Sequence, residues 1–396
     1  MATTPAGRRD FLKTLSLASA GLLTGAAAYG QNAAASAPAV VPFFGAHQAG
    51  ITTPVQKHIY FLVADLHTTD AAAIADIFRT WTAYSAQLTR GDNVKPYGTN
   101  AYVPPADTGE ADSLHAHNLT LTFGVSPAFF AKLGIEHLRP ALLRELPHFP
   151  RDQLKAQYSG GDICIQACAD DPQVAFHAVR NLVRAARLHI TMRWSQAGFN
   201  SFDHRADTPR NLFAFKDGTA NLSGDALDEV VWVKSDDWLN GGTYLVARRI
   251  QMFLETWDRT NLAAQHETFG RARDTGAPLG QEKEFDTVDL SLKDGKGNPV
   301  VPENSHVHLA HKTGHNILRR SFSYASGIDD KGQFDAGLLF ISCQKDPQAF
   351  IDIQNAFGNV DKMNEYITHI GSGLFACFPG VRDTEDYLGK ALFEQI

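Results

Sequence analysis

The chain has 396 residues, enough to bury a large core and to build two domains. Its 44% hydrophobic and 20% charged residues are those of a globular protein, and a net charge of −7 excludes a general nucleic-acid binder, which needs a basic surface. Four cysteines (Cys164, Cys168, Cys343 and Cys377) are too few and too scattered for a disulfide framework.

The first element is an address. Arg8-Arg9-Asp-Phe-Leu-Lys13 precedes a mildly apolar stretch, Thr14 to Ala28, that is rich in Ala, Leu and Gly. This is the twin-arginine pattern, with small-residue cleavage sites between Ala26 and Ala39. The stretch is too short and too rich in Ala and Gly to span a bilayer comfortably. Residues 1–39 therefore read as a signal peptide and leader. The twin-arginine machinery is the expected partner and the periplasm the expected location. Export of folded protein suits a chain that acquires a cofactor before it crosses.

A strand–cap–helix pattern then recurs. His58 to Asp65 reads as a strand, and Thr69-Asp70 caps a helix from Ala71 to Leu88. Asp162 to Cys168 reads as a buried strand, with Asp171 capping a helix from Pro172 to about Ala186. Along that strand Cys164 and Cys168 lie roughly 13 Å apart, which favours packing cysteines over a metal pair. Gly242 to Met252 leads into a helical stretch, Phe253 to Phe269. Gly337 to Cys343 is a strand, after which Asp346-Pro347 opens a helix to about Phe357. Further strands are expected at Leu119–Phe123, Leu188–Trp194, His306–Ala310, Leu318–Tyr324 and Leu374–Phe378. The order predicts an α+β protein of two ferredoxin-like (βαββαβ) units with antiparallel sheets. The expected domains are 40–205 and 206–396.

Three features carry chemistry. Asn211 to Leu222 places Asp217 on a tight Gly-containing turn among apolar residues, a candidate acid or base, although Asp-Gly turns are also common as plain structure. His306, His308, His311 and His315 form a run that by spacing alone could bind zinc or copper, or lie on the surface as a histidine tract. Arg319 and Arg320 are adjacent in an expected strand, so only one can face a given site. An acid, a histidine and an arginine together suggest an oxidoreductase built around a haem.

In this order the segments resemble the dye-decolourising (DyP-type) peroxidases, in their exported twin-arginine deferrochelatase/peroxidase branch. The stretches are Phe43–Ile51, Leu146–Leu154, Phe213–Asn221, Gly242–Arg249, Glu255–Arg259, Gly276–Leu279, Asn364–Gly373 and Phe378–Gly380. The family's GxxDG motif is altered, with Ala214 where its first Gly is usual; Asp217 and Gly218 are kept.

The resemblance implies a peroxidase that reduces hydrogen peroxide and oxidises organic donors such as dyes and phenolics through a ferryl intermediate. It also implies iron release from haem (deferrochelatase activity) as a second use of the same pocket. One haem b per chain is expected, held mainly by the C-terminal unit. Matched to the family's motif Ser-His-x-x-Leu-Ala, His306 is the iron ligand, and Asp361 is the acid behind it, with Glu365 as the alternative. Asp217 moves the peroxide proton, and as a carboxylate it implies activity in mildly acidic conditions. Arg319 stabilises charge on the peroxide oxygen and counts among the haem-contacting residues. Arg248 and Arg249 are both open as partners of the propionates. Iron-uptake components are expected partners, and the expected assembly is a homodimer. The rival reading is a haem carrier or sensor without turnover.

Overall fold

Four side-chain caps start the helices that frame the molecule. Asp70 caps α1 (Ala71–Leu88), accepting from the amides of Ala72 and Ala73 at 2.9 and 3.2 Å. Asp171 caps α2 (Pro172–Ala186), Ser305 caps the short α3 (His306–Lys312) and Asp346 caps α4 (Pro347–Phe357). Each cap oxygen satisfies amides that the first turn leaves unpaired. Pro172 and Pro347 open their helices without cost, because the N–H they lack would have had no partner there.

The structure, a computed structural model, describes residues 40–204 and 207–396. The leader expected at 1–39 lies outside the described residues, and so do Arg205 and Ala206, where the domain boundary was expected.

The first half contributes strands β1 (His58–Leu66), β2 (Thr120–Val125), β3 (Ile163–Ala169) and β4 (Ile190–Phe199). The second contributes β5 (Thr243–Met252), β6 (Leu318–Arg319), β7 (Phe322–Ile328), β8 (Phe334–Gln344) and β9 (Ile367–Cys377). Within the first half the spatial order is β4-β1-β3-β2, and within the second it is β7-β8-β5-β9. All these pairings are antiparallel, and each half has the βαββαβ strand order.

The two sheets also meet at both ends. β2 pairs with β9 through Gly124↔Cys377 and Val125↔Ala376, and β4 pairs with β7 through Phe199↔Ser323. With β5 paired to both β8 and β9, the strands close into a ring. Closure leaves neither sheet with a long free template for another chain.

Inside the ring lie Phe61, Val63, Cys164, Cys168, Trp194, Leu245, Ala247, Leu339, Ile341, Cys343, Phe375 and Cys377. The opposite sides of β1 and β3, with Leu62, Ile163, Ile165 and Ala167, pack under α1 and α2. A third, smaller core joins Phe213, Phe215, Trp257, Phe269 and Tyr366.

The β2–β9 seam is short, and a side chain extends it. Buried Gln48 donates to the carbonyls of Phe123 on β2 and Phe378 after β9, both at 2.9 Å. Its Oε1 accepts from the Phe123 amide at 2.8 Å. The glutamine thus continues the ladder where the backbone stops.

Three sequence expectations change. The run from His306 is helical rather than extended, because Ser305 caps it and α4 packs beside it. The expected helix Phe253–Phe269 is two helices, Leu254–Trp257 and Leu262–Phe269, since Asn261 caps a new start by accepting from the Ala264 amide. The strand expected at Leu318–Tyr324 is interrupted at Arg320-Ser321, yet β6 and β7 keep one register along β8: Leu318↔Cys343, then Phe322↔Leu339.

Replacing Gln48 by Leu leaves one buried amide and two carbonyls unpaired at the seam. The expected loss is about 2–4 kcal/mol of stability, read as a lower denaturant midpoint of the chain. An unchanged midpoint would show that the seam does not depend on this side chain.

Candidate active site

The turn that carries Asp217 is built by its own sequence. The Asn211 side chain accepts from the amides of Phe213 and Phe215 at 3.0 and 3.3 Å. The two phenylalanines turn inward, Phe213 stacking on Trp257 at 4.4 Å and Phe215 on Phe269 at 3.9 Å. The Asp217 amide donates to the Pro209 carbonyl at 2.8 Å, which fixes the aspartate at the turn's exit.

Two residues in this turn need positive φ: Ala214 at +67° and Gly218 at +128°. The substitution of alanine for the family's glycine therefore leaves the backbone in place. Its cost is torsional, since Cβ crowds the backbone in the left-handed region. The Ala214 side chain is exposed and meets no packing obstacle. Arg210 grips the turn from outside, donating to the Ala214 carbonyl at 2.7 Å and to the Asp274 carbonyl at 2.7 Å.

Asp217 meets Arg319. Oδ1 accepts from a guanidinium nitrogen at 3.1 Å, with side-chain exposures of 18% for the acid and 29% for the base. Asn221 locks the two elements together: its side-chain amide donates to the Arg319 carbonyl at 2.6 Å, and its oxygen accepts from the Arg319 amide at 2.9 Å. Arg320 points elsewhere, into the ring, donating to Gln56 and to the Thr53 carbonyl. Asp217, Arg319, Asn221, Ser321 and Leu338 line a cavity of about 260 Å³, with the segment Ile51–Val55 from the first half forming another wall. Ser321 Oγ is buried there without a protein partner.

His306 has a different set of neighbours. Its Nδ1 lies 2.7 Å from Asp361 Oδ2, and its ring stacks on Phe357 at 4.2 Å. An ionised carboxylate only accepts, so Nδ1 carries the hydrogen and Nε2 keeps its lone pair. Asp361 is itself fixed, its other oxygen accepting from the Met363 amide at 2.8 Å. It is Asp361, not Glu365, that takes the imidazole.

The other histidines of the run do not converge on His306. His315 pairs with Asp352 at 2.9 Å, and His308 Nδ1 is buried without a partner. Burial lowers the His311 pKa, with the nearby positive charge of Arg271 adding to the effect. Among the described residues no group of three or more His, Cys, Asp or Glu could hold a metal ion, so the zinc or copper reading fails.

β8 and α4 connect the two sets. Leu338 lines the cavity with Asp217 and Arg319, and Phe340, two residues on, shares its face. Phe340 packs against Phe350 of α4 at 5.8 Å, and the last residue of α4 is Phe357, under His306. Leu338 and Phe340 are only half-buried although they lie mid-strand in the sheet, as are Ile317 and Phe357. A half-exposed apolar wall beside a histidine with a free Nε2 suits a flat, largely apolar macrocycle such as haem. The partnerless Ser321 Oγ leaves a polar contact for a small molecule in the cavity. These residues fit the group.

Arg248 and Arg249 are both buried and both held. One guanidinium nitrogen of Arg249 donates to both Asp335 oxygens, at 2.8 and 3.0 Å, and the group lies over the rings of Tyr158 and Tyr324. Arg248 binds Asp152 and, at 2.9 Å, Ser372, leaving its Nε without a partner. Asn221 and Ser321 are site residues to which the sequence reading gave no role. Asn221 stood in the motif itself, but its partner lies 98 residues away.

Comparison with known proteins follows this geometry. The family models described as Dyp-type peroxidase, N-terminal, and Dyp-type peroxidase, C-terminal, match residues 48–200 and 208–382. The chain is 36% identical over 417 residues to a deferrochelatase of Yersinia pestis, covering 98% of this chain and 95% of the relative. With the deferrochelatase of Escherichia coli K12 the identity is 38% over 371 residues, covering 89% and 86%. Ferric DtpA from Streptomyces lividans superposes with a TM-score of 0.84 at 36% identity, covering 90% of this chain and 98% of that one.

The torsional argument at Ala214 has a direct test. Ala214→Gly should raise stability by about 1 kcal/mol in chemical denaturation, with the spectrum of bound haem unchanged. A destabilised Gly variant would mean that the alanine is held there by contacts that offset its torsion.

Proposed function

The chain belongs to the DyP-type peroxidase family, a haem-dependent peroxidase, and on that premise we propose how its residues divide the work. The observation that carries the proposal is the Asp217–Arg319 pair, held at 3.1 Å over a cavity that also contains a partnerless serine hydroxyl.

His306 would hold haem b, one per chain, through Nε2. Asp361 keeps the ring in the right tautomer and makes it a more basic ligand. Leu338, Phe340, Ile317 and Phe357 would line the macrocycle. Bound haem supplies the iron that accepts oxidising equivalents from peroxide and passes them singly to an organic donor.

The protein's own part is proton movement and electrostatics. Asp217 takes the proton from one peroxide oxygen and carries it to the departing oxygen, directly or through one water. Arg319 offers its N–H groups to the charge that develops on oxygen and keeps Asp217 aimed into the cavity. Ser321 Oγ orients peroxide or water beside them.

Two relatives named deferrochelatase, at 36% and 38% identity, support a second use of the same pocket, in which haem is the substrate and its iron is released. Arg8-Arg9 and the apolar stretch that follows support export to the periplasm by the twin-arginine route.

Haem-loaded protein mixed with peroxide should change spectrum within the mixing time, whereas a carrier's spectrum would stay fixed. Asp217→Asn should keep haem and slow this reaction by about 100-fold or more, and Arg319→Leu by about 10–1,000-fold. His306→Ala should lose the haem or its normal axial spectrum. Parent-like rates in both cavity variants would refute the assignment. Free protoporphyrin with an intact ring, found by product analysis, would identify the iron-release reaction.

A further inference from the structure

The turn around Asp217 has a second clamp, from a residue distant in sequence. Glu284 lies in the segment between the helix Leu262–Phe269 and α3, and its side chain is only 11% exposed. Its carboxylate accepts from Lys216 Nζ, from Thr219 Oγ1 at 3.0 Å and from the Thr208 hydroxyl. The three donors bracket the aspartate: one residue before it, two after it, and one in the segment leading to the turn. Asp217 itself takes no part and keeps its own oxygen for Arg319.

The surroundings are built to hold this carboxylate. Arg271 donates to the Glu284 carbonyl at 3.0 Å and to the Gly276 carbonyl at 2.7 Å, fixing the backbone that presents it. A Cβ at Gly276 would stand 2.8 Å from Lys216 Cδ and 3.4 Å from Glu284 Cγ, so the glycine leaves the slot in which the pair sits. The turn gains from such a clamp because Ala214, unlike Gly218, occupies the positive-φ region at a torsional cost.

We propose that Glu284 is the positioning residue of the proton carrier: by tying Lys216, Thr219 and Thr208 to one buried carboxylate it holds Asp217 at working distance in the cavity. This rests on Asp217 acting as that carrier. The charged groups that face Glu284 are Lys216 and Arg271, with Arg319 beyond Arg271. Burial pushes the Glu284 pKa up, but the bonds from Lys216, Thr208 and Thr219 outweigh it and leave it below the ordinary glutamate value. The clamp is therefore complete above the ordinary glutamate pKa and is lost as pH falls through the lower folded value.

Hydrogen exchange of the haem-free chain gives the first reading. Glu284→Ala should speed exchange across residues 211–221 and leave β5 and β8 as they were; Thr219→Val should do the same more weakly. In haem-loaded protein, Glu284→Ala should slow the peroxide reaction by about 10–100-fold without loosening haem, because a displacement of 1 Å is enough for such a loss. Glu284→Gln, which keeps the oxygen but not the charge, should recover part of the rate and shift the acid limb of the pH profile. Combined with Asp217→Asn, Glu284→Ala should cost nothing more.

A parent-like rate in Glu284→Ala, unchanged exchange at 211–221, or an equal further loss in the Asp217→Asn background would each overturn the positioning role. A parent-like rate in Asp217→Asn alone would instead overturn the proton-carrier assignment, a separate outcome.

Discussion

Everything in this molecule depends on two sheets closing on each other at both edges. A four-stranded antiparallel sheet has two edges and two faces to cover, and neither half could satisfy both alone. Pairing β2 with β9 and β4 with β7 covers the edges and makes the inner faces one core. The backbone contact at the seams is small, only a few residue pairs, so side chains carry the remainder. Gln48 extends one seam, and Gly124 allows it to close, because a Cβ there would stand 2.9 Å from Cys377 Sγ and 3.1 Å from Phe375 Cβ. Cys164 and Cys377 flank that glycine in the sheet, and their thiols touch: the Cys377 pKa is raised by the hydrogen bond it donates to Cys164 and then by burial. All four cysteines are free and buried inside the ring, where they serve as small apolar packing groups.

Closing the ring also decides where chemistry can occur. The interior is lined by apolar side chains, and the candidate site lies on an outer face, where helices leave space. On the second half, β8 offers Leu338 and Phe340 outward while Leu339 and Ile341 point in. The interruption at Arg320-Ser321 uses the same alternation. Arg319 turns out to Asp217, and Arg320 turns in to Gln56 and Thr53 of the strap that runs along the first half. One break in one strand thus supplies a site arginine, an anchor to the other half and a buried hydroxyl. The Ile51–Val55 strap belongs to the first half yet lines the cavity, so the two halves share the site although the histidine and the acid both come from the second.

Much of this was legible in sequence because it is local. Asp70, Asp171 and Asp346 announce their helices by a cap, two of them followed by proline, and the strand order of each half follows from the alternation of elements. The run at His306 was misread for an equally local reason: seven residues are too few to show a helical period, and Val307 and Leu309 read as well in a strand. The ring was not legible, since no pattern within either half specifies which edges will meet. Nor were the roles of Asn221, Ser321 and Glu284. Each depends on a partner or a cavity wall brought in by the fold: Asn221 on the backbone of Arg319, Ser321 on the cavity, and Glu284 on residues more than 60 positions upstream.

The Asp217–Arg319 pair repays a comparison with the other ion pairs. Arg248 with Asp152 is almost wholly buried, at 1% and 0% exposed, and breaking such a pair costs a protein several kcal/mol. Asp217 and Arg319 are partly open to solvent, and pairs of that kind contribute about 0–1 kcal/mol. On stability alone, little surrounding structure would be needed to keep them together. Yet Asn221 bonds twice to the Arg319 backbone, Asn211 caps the turn, Arg210 grips it from outside, and Glu284 ties its flanks. Ala214 is kept in a left-handed conformation that an alanine adopts only at a cost. Support far beyond what the pair returns in folding energy points to a role other than stability, and the proton transfer proposed for Asp217 is one that needs a carboxylate held at a defined distance.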